Sequence, residues 1–294
     1  MNKVGFIGVG IMGKSMVRNL MKAGFELHIY ARTKSKVEDV ISEGAQFHES
    51  IKDCVQDCDA VITIVGFPQD VEEVYFDEGN ILDSAKKGAY LIDMTTTSPQ
   101  IAEKIYEEGT KRGFHVMDAP VTGGDTGAKA GTLSILVGGE KGDYEACMPL
   151  FEAMGTNINY QGKAGCGQHC KLANQIMIAG TLSGVCEALT YAKEQGLDPE
   201  VFMKSVATGA AGSKQLDTFG PKILKDDYAP GFFMKHFIKD MKLALIEANR
   251  KGLSLDVLSM VLANYEELEQ EGYGDLGTQA LMKFYDEEHR NTEE

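Results

Sequence analysis

A short apolar run, Val4-Gly5-Phe6-Ile7, ends in Gly8-Val9-Gly10-Ile11-Met12-Gly13 and passes without a proline into a helical pattern near Ile11. A strand that turns through glycines straight into a helix leaves the chain few options. The first glycine allows the tight turn, the second lets backbone approach a ligand, and the third lets helix and strand pack closely. The start of such a helix carries unpaired N–H groups that favour an anion. A bare G-x-G-x-x-G is weak, but here it has the strand before it and the helix after it that a dinucleotide-binding βαβ unit demands.

The next 150 or so residues continue the alternation of apolar runs and helical patterns that marks a parallel sheet wound with helices. Strands are expected at residues 4–8, 27–31, 60–65, 89–94, 115–118 and 133–137, and helices from near Ile11, Lys34, Val71, Pro99 and Asp143. From Gly165 the strand signal stops and helical periods run to the end. The expected architecture is α/β in residues 1–163 and all-α in residues 164–294.

The longest helical stretch opens that second part. It reads Gly165-Cys-Gly-Gln-His-Cys-Lys171-Leu-Ala-Asn174-Gln175 and runs to Glu194, with Gly196 and Pro199 beyond it. Leu172, Ile176, Ala179, Leu182, Cys186 and Leu189 fall three or four apart, the helical period. About 28 residues at 1.5 Å each give a helix of roughly 40 Å. Lys171 sits early in it, where the macrodipole favours a cation least. Asn174 and Gln175 follow at i+3 and i+4, on the same side. A solvated lysine and a functional one both remain open on this pattern.

With 29 Lys and Arg against 44 Asp and Glu, the formal charge is −15 and the pI about 4.9. Such a field repels phosphate backbones and anionic membranes, so nucleic acid is not an expected partner. The first apolar run is cut by glycines and then by Lys14 and Arg18, which does not suit a signal peptide, and no membrane span is expected. The six cysteines form no paired framework or metal set, consistent with reduced thiols and a cytoplasmic protein.

Against that negative field, the segment Tyr30-Ala31-Arg32-Thr33-Lys34-Ser35-Lys36 stands out, with no acid until Glu38. An NAD site usually places a carboxylate there for the ribose 2′-hydroxyl. Arg32 and Lys36 can instead pair a 2′-phosphate and Thr33 can donate to it, which points to NADPH, with a solvated loop as the alternative. Further candidate cofactor contacts lie on Val65-Gly66-Phe67-Pro68 and on Thr96 of Asp93-Met94-Thr95-Thr96-Thr97-Ser98-Pro99, where Ser98 also reads as a helix cap. Thr122-Gly123-Gly124 reads equally as an anion-binding nest or a flexible connector. Lys235, Lys239 and Lys242 share one side of a later helix, usually a solvated face, unless one points at an acidic ligand.

Four ordered motifs, Gly5-Phe-Ile-Gly-Val-Gly-Ile-Met-Gly13, Asp118-Ala-Pro-Val-Thr-Gly-Gly124, Gly165-x-Gly-Gln-x-x-Lys171-x-x-Asn174 and Lys239-Asp240-x-x-Leu-Ala244, together resemble the β-hydroxyacid dehydrogenase family. That family includes 3-hydroxyisobutyrate dehydrogenase, tartronate semialdehyde reductase and the glyoxylate/succinic semialdehyde reductases. The resemblance covers nearly the whole chain. It implies a Rossmann-like domain joined to an all-α substrate and oligomerisation domain by a long interdomain helix, with the active site in the cleft between them. It further implies Lys171 as general acid or base, Thr122, Gly123 and Gly124 on the substrate carboxylate, and Asn174 and Gln175 on the substrate. Gly8, Gly10, Ile11, Met12, Gly13, Ala31, Arg32, Thr33, Lys36, Val65, Gly66, Thr96 and Lys239 would contact NADP, no metal is implied, and the assembly would be a homodimer or homotetramer.

This chain departs from the family's pattern at three places. Thr122 stands where many members have Ser, Gln175 where many have a second Asn, and Val65-Gly66-Phe67-Pro68 where the strand usually ends in Leu-Pro. The competing readings are an imine reductase, which typically lacks the lysine, and a non-catalytic NADPH-binding regulator. A small carboxylate with a nearby carbonyl or hydroxyl is the expected substrate, and NADPH favours semialdehyde reduction.

Overall fold

The structure, a computed structural model, describes residues 1–285. It divides into two compact units, one ending at Lys171 and the other beginning at Leu172. In the first, β1 (Lys3–Ile7) leads through the glycine turn to α1 (Ile11–Lys22) and β2 (Glu26–Tyr30). There follow α2 (Glu38–Ser42), β3 (Gln46–His48), α3 (Ile51–Val55), β4 (Ala60–Thr63), α4 (Pro68–Phe76), α5 (Ile81–Ser84), β5 (Tyr90–Asp93) and α6 (Pro99–Lys111). The unit continues with β6 (His115–Asp118), β7 (Val121–Thr122), α7 (Gly124–Ala130), β8 (Leu133–Gly139), α8 (Lys141–Ala146), α9 (Met148–Met154) and β9 (Gly155–Gly162). Helix α10 (Cys166–Glu194) starts in the first unit and carries the chain into the second, which holds α11 (Pro199–Val206), α12 (Lys214–Ile223), α13 (Met234–Arg250) and α14 (Asp256–Gln270).

The sheet runs β3-β2-β1-β4-β5-β6-β8-β7, with β9 paired to β8. Neighbours from β3 to β6 are parallel, while β6–β8 and β7–β8 are antiparallel. The order 3-2-1-4-5-6 reverses between β1 and β4, and ligands of such sheets bind outside the carboxyl ends at that point. The mixed α/β, Rossmann-like first unit and the helical second unit agree with the fold expected from the sequence. The strands expected there all form; most read as apolar runs buried in the sheet, while β2 carries a buried His28 and β6 begins and ends in polar residues.

Three strands escape the sequence pattern. β3 and β7 have three and two residues, too few for a period to show. β9 is mostly exposed and polar, Gly-Thr-Asn-Ile-Asn-Tyr-Gln-Gly, so it lacks an apolar run despite pairing along β8. The helix expected to begin at Lys34 is a 3₁₀ turn, Lys34–Lys36, separated from α2 by the non-helical Val37.

The second unit packs the apolar side of α10 (Leu172, Ala179, Leu182, Cys186, Leu189) with Phe237, Met241, Val261 and Tyr265 into one core. By length and composition alone α10 could cross a membrane; here much of its apolar surface is used in that core. The Phe237 and Tyr265 rings meet edge to face with centroids 5.4 Å apart, a favoured aromatic geometry. Phe237 is fully buried, so Phe237→Ala should destabilise the protein by about 3–5 kcal/mol. Denaturant unfolding monitored by circular dichroism checks this, and a loss under about 1 kcal/mol would mean that the core closes over the missing ring.

Candidate active site

Gly8 turns with φ 97°, and a Cβ there would lie 2.0 Å from the Ile64 carbonyl oxygen at the end of β4. Only glycine allows β1 and β4 to approach so closely at the switch point. A Cβ on Gly13 would meet the Gly8 oxygen at 2.1 Å, whereas one on Gly10 would meet nothing within 4 Å. Gly10 is the N-cap of α1 and makes no side-chain cap, and the first turn carries no acid. Ile11 is 53% exposed and Met12 half-buried. Open space over a helix start, uncapped N–H groups and no competing carboxylate suit a pyrophosphate, so these residues fit a dinucleotide.

At the end of β2, Ala31 is half-buried while Arg32, Thr33 and Lys36 are exposed. The Arg32 guanidinium pairs with the Asp70 carboxylate in the first turn of α4. Lys34 lies 3.7 Å from Glu49 and over the Phe47 ring. Val65 and Gly66, both half-buried, follow β4, and the Val65 N–H donates to the Thr95 hydroxyl at 3.0 Å.

The three threonines after β5 divide by register. Thr95 and Thr97 are buried and Thr96 is half-buried, so Thr96 is the one turned outward. Beneath them Asp93 accepts from the Thr63 hydroxyl at 2.8 Å and from the Thr95 N–H at 3.1 Å. Burial pushes its carboxyl up from 3.8 to about 6, and the bonds from Thr95 and Thr63 hold it back from going further. Ser98 caps α6 by accepting from the Gln100 N–H, ahead of Pro99 in the first turn.

Asp118, opposite Asp93 in the β5–β6 register, fixes the start of α10. Its two oxygens accept from the Gly165 and Gln168 N–H groups, each at 2.8 Å. Burial raises this carboxyl too, opposed by those same N–H donors. The fit is tight: a Cβ on Gly167 would stand 2.3 Å from the Leu136 oxygen and 2.7 Å from an Asp118 oxygen. Gln168, fully buried, donates to the Thr95 carbonyl at 2.8 Å and accepts from the Thr97 N–H at 3.0 Å. Lys171 is one turn further along and only 7% exposed. Two of the sequence motifs show Gln168 and Asp118 as letters, but their role depends on burial that no local spacing reveals.

Thr122 closes β7 opposite Ser134 of β8, and Gly123 and Gly124, at φ 131° and 63°, turn into α7. The stretch is a glycine turn that leads into the start of a helix. The Asn19 amide of α1 donates to the Ala128 carbonyl at 2.7 Å and ties α7 to α1.

In the second unit, Gln175 is buried and donates to Asp240 at 2.7 Å, while its oxygen accepts from the Asn174 amide at 2.8 Å. The other Asp240 oxygen lies 3.0 Å from the Lys239 ammonium. Of the lysines on that side of α13, Lys235 pairs with Asp275 and Lys242 with Glu266.

Residues 3–162 match the family model for the NAD binding domain of 6-phosphogluconate dehydrogenase, and residues 165–285 that for the NAD-binding domain of NADP-dependent 3-hydroxyisobutyrate dehydrogenase. The chain is 49% identical over 282 residues to the uncharacterized oxidoreductase YkwC of Bacillus subtilis, covering 96% of this chain and 98% of the relative. It is 38% identical over 253 residues to 2-hydroxy-3-oxopropionate reductase of Escherichia coli, covering 86% of each. A solved 3-hydroxyisobutyrate dehydrogenase of Mycobacterium tuberculosis with L-serine superposes with TM-score 0.88 at 26% identity, over 96% of this chain and 98% of that one.

The raised Asp93 carboxyl makes stability depend on pH with a defined sign. Between 3.8 and about 6 the folded protein keeps a proton on Asp93 that the unfolded chain has released, so stability falls as pH rises through that window. Asp93→Asn retains an oxygen for Thr63 and Thr95 and removes the titration. The wild type should lose on the order of 3 kcal/mol relative to this variant across the window. Parallel denaturant melts at pH values on either side check it, and a difference that stays constant would show that Asp93 titrates as an ordinary carboxyl.

Proposed function

We propose that this chain, which belongs to the β-hydroxyacid dehydrogenase family and is an NAD(P)-dependent oxidoreductase, reduces a small semialdehyde or oxo acid with NADPH and uses Lys171 as proton donor. One observation carries the reading: a buried lysine in the second turn of a helix whose start is held by Asp118 and Gln168. A charge kept in such a place costs desolvation, which a solvated surface lysine would avoid.

The dinucleotide, when bound, supplies the hydride. The glycine turn and the first N–H groups of α1 hold its pyrophosphate, and Arg32, Thr33 and Lys36 receive its 2′-phosphate. Ala31, Val65, Gly66 and Thr96 line its path, and Lys239 keeps the cofactor-facing role that the family resemblance implies. Thr122 and the N–H groups of Gly123 and Gly124 bind the substrate carboxylate. As hydride reaches the carbonyl carbon, negative charge grows on its oxygen. The Lys171 ammonium stabilises that charge by hydrogen bonding and then gives up a proton, forming the hydroxyl; solvent returns a proton to the neutral amine. Asn174, one turn along α10, orients the substrate, and Gln175 holds Asn174 in place. In the oxidative direction Lys171 acts as base.

Candidate substrates are glyoxylate, succinic semialdehyde and tartronate semialdehyde, with 3-hydroxyisobutyrate and L-serine for the reverse reaction; L-serine accompanies the M. tuberculosis relative. A cytoplasmic homo-oligomer belongs to the same reading, and exposed Met177, Tyr191, Val257 and Met260 in the second unit support self-assembly.

The test is reduced-nicotinamide absorbance against this panel, with NADPH and NADH in parallel, for wild type and Lys171→Ala. The variant should lose about 10²–10⁴ in kcat with its Kd for NADPH unchanged. Full activity in Lys171→Ala would remove the lysine from the chemistry, and faster turnover with NADH would overturn the cofactor assignment.

A further inference from the structure

We propose that Asp70 is a specificity-determining residue for the dinucleotide: its carboxylate competes with the ribose 2′-phosphate for Arg32 and so narrows the preference for NADPH over NADH. This rests on the proposal that Arg32 recognises the 2′-phosphate.

The pair is asymmetric. Asp70 is held in place without Arg32, because its Oδ2 accepts from the Phe67 N–H at 2.9 Å and caps the start of α4. Its side chain is 18% exposed, whereas that of Arg32 is 65% exposed and reaches across to it. The partner is therefore fixed and the guanidinium is free to be drawn away. Glu73, one turn further along α4, adds its field on Arg32, as does Tyr30 at the end of β2. Glu72 is turned to Lys104, at 3.3 Å.

The two dinucleotides differ only at the 2′ position, where one carries a hydroxyl and the other a phosphate. A guanidinium binds a phosphate best through two parallel N–H donors. With Nη2 directed at Asp70, Arg32 must leave that carboxylate, at least in part, to offer both. No acid lies within residues 31–37 to hold Arg32, and α4 supplies the one that does. Cation and anion thus face each other where the two cofactors differ.

The experiment measures Kd for NADPH and for NADH by cofactor fluorescence, without turnover, and takes their ratio within each variant. Asp70→Asn removes the charge and leaves an oxygen for the Phe67 N–H; Asp70→Ser provides a second removal should the first fold poorly. In both, the preference for NADPH should rise by about fivefold, the scale of an exposed ion pair. In an Arg32→Gln background the same changes should leave the ratio where it was. An unchanged or lower preference in both Asp70 variants overturns the inference. So does an equal rise in the Arg32→Gln background, since Asp70 would then act on the phosphate directly. Arg32→Gln alone separates the two proposals. If it lowers the preference for NADPH, the 2′-phosphate reading stands whatever Asp70 does; if it leaves the preference unchanged, that reading fails and this inference falls with it.

Discussion

A buried carboxylate decides where the long helix begins. Asp118 has two oxygens in a site that excludes water, and both must find donors or be neutralised. The Gly165 and Gln168 N–H groups at the start of α10 are donors that a helix cannot satisfy internally. Each therefore meets the other's need, and the match fixes the helix in position along its axis and in rotation about it. Gly167 follows from this, since the helix must come so near β6 and β8 that no side chain fits between them. Gln168 adds a second tie to the β5–α6 loop. A lysine one turn later inherits that precision, which the proton transfer proposed for Lys171 would require.

The same economy of backbone groups shapes the cofactor edge. The turn after β1 keeps its glycines for different reasons. Gly8 and Gly13 have no room for a Cβ, while Gly10 has room that the protein leaves empty. Space is thus excluded where the sheet and helix must touch and preserved where the helix start points outward. Around it the chain, at −15 overall, concentrates Arg32, Lys34 and Lys36 within five residues. Such an island matters at short range, within about a Debye length, without changing the sign of the distant field.

How much of this can be read in the sequence follows from how local each feature is. The glycine turn, the strands β1, β2, β4, β5 and β6, and the period of α10 depend on neighbours a few residues apart, and they are legible. β9 is not, because it is paired through backbone while its side chains face solvent. The triplet Thr95-Thr96-Thr97 shows three hydroxyls, but only the register of β5 reveals that the outer two are buried and the middle one faces outward. Asp93 and Asp118 look like any strand-end acids until burial is known. The Arg32–Asp70 pair is invisible for the same reason: thirty-eight positions separate partners that the β1–β4 reversal brings together.

The amides on α10 show how one carboxyl group can direct the chemistry offered several atoms away. The Gln175 amide presents its nitrogen to an Asp240 oxygen, at 2.7 Å, while the other Asp240 oxygen faces Lys239. Its oxygen is then the end left for Asn174, and an oxygen takes only a donor, so the Asn174 nitrogen turns inward at 2.8 Å. What remains on Asn174 is its own oxygen, an acceptor, and the second N–H of its nitrogen, a donor. The orientation is relayed, and reversing any amide in the series would set two donors or two acceptors against each other. Both suit a substrate hydroxyl, which can donate to the one and accept from the other. In the proposed reaction the acid would fall to N–H donors such as those of Gly123 and Gly124, and the alcohol to Asn174. This division also gives the departure at Gln175 a physical meaning: the longer amide is committed to Asp240, and the shorter one beside it stays available.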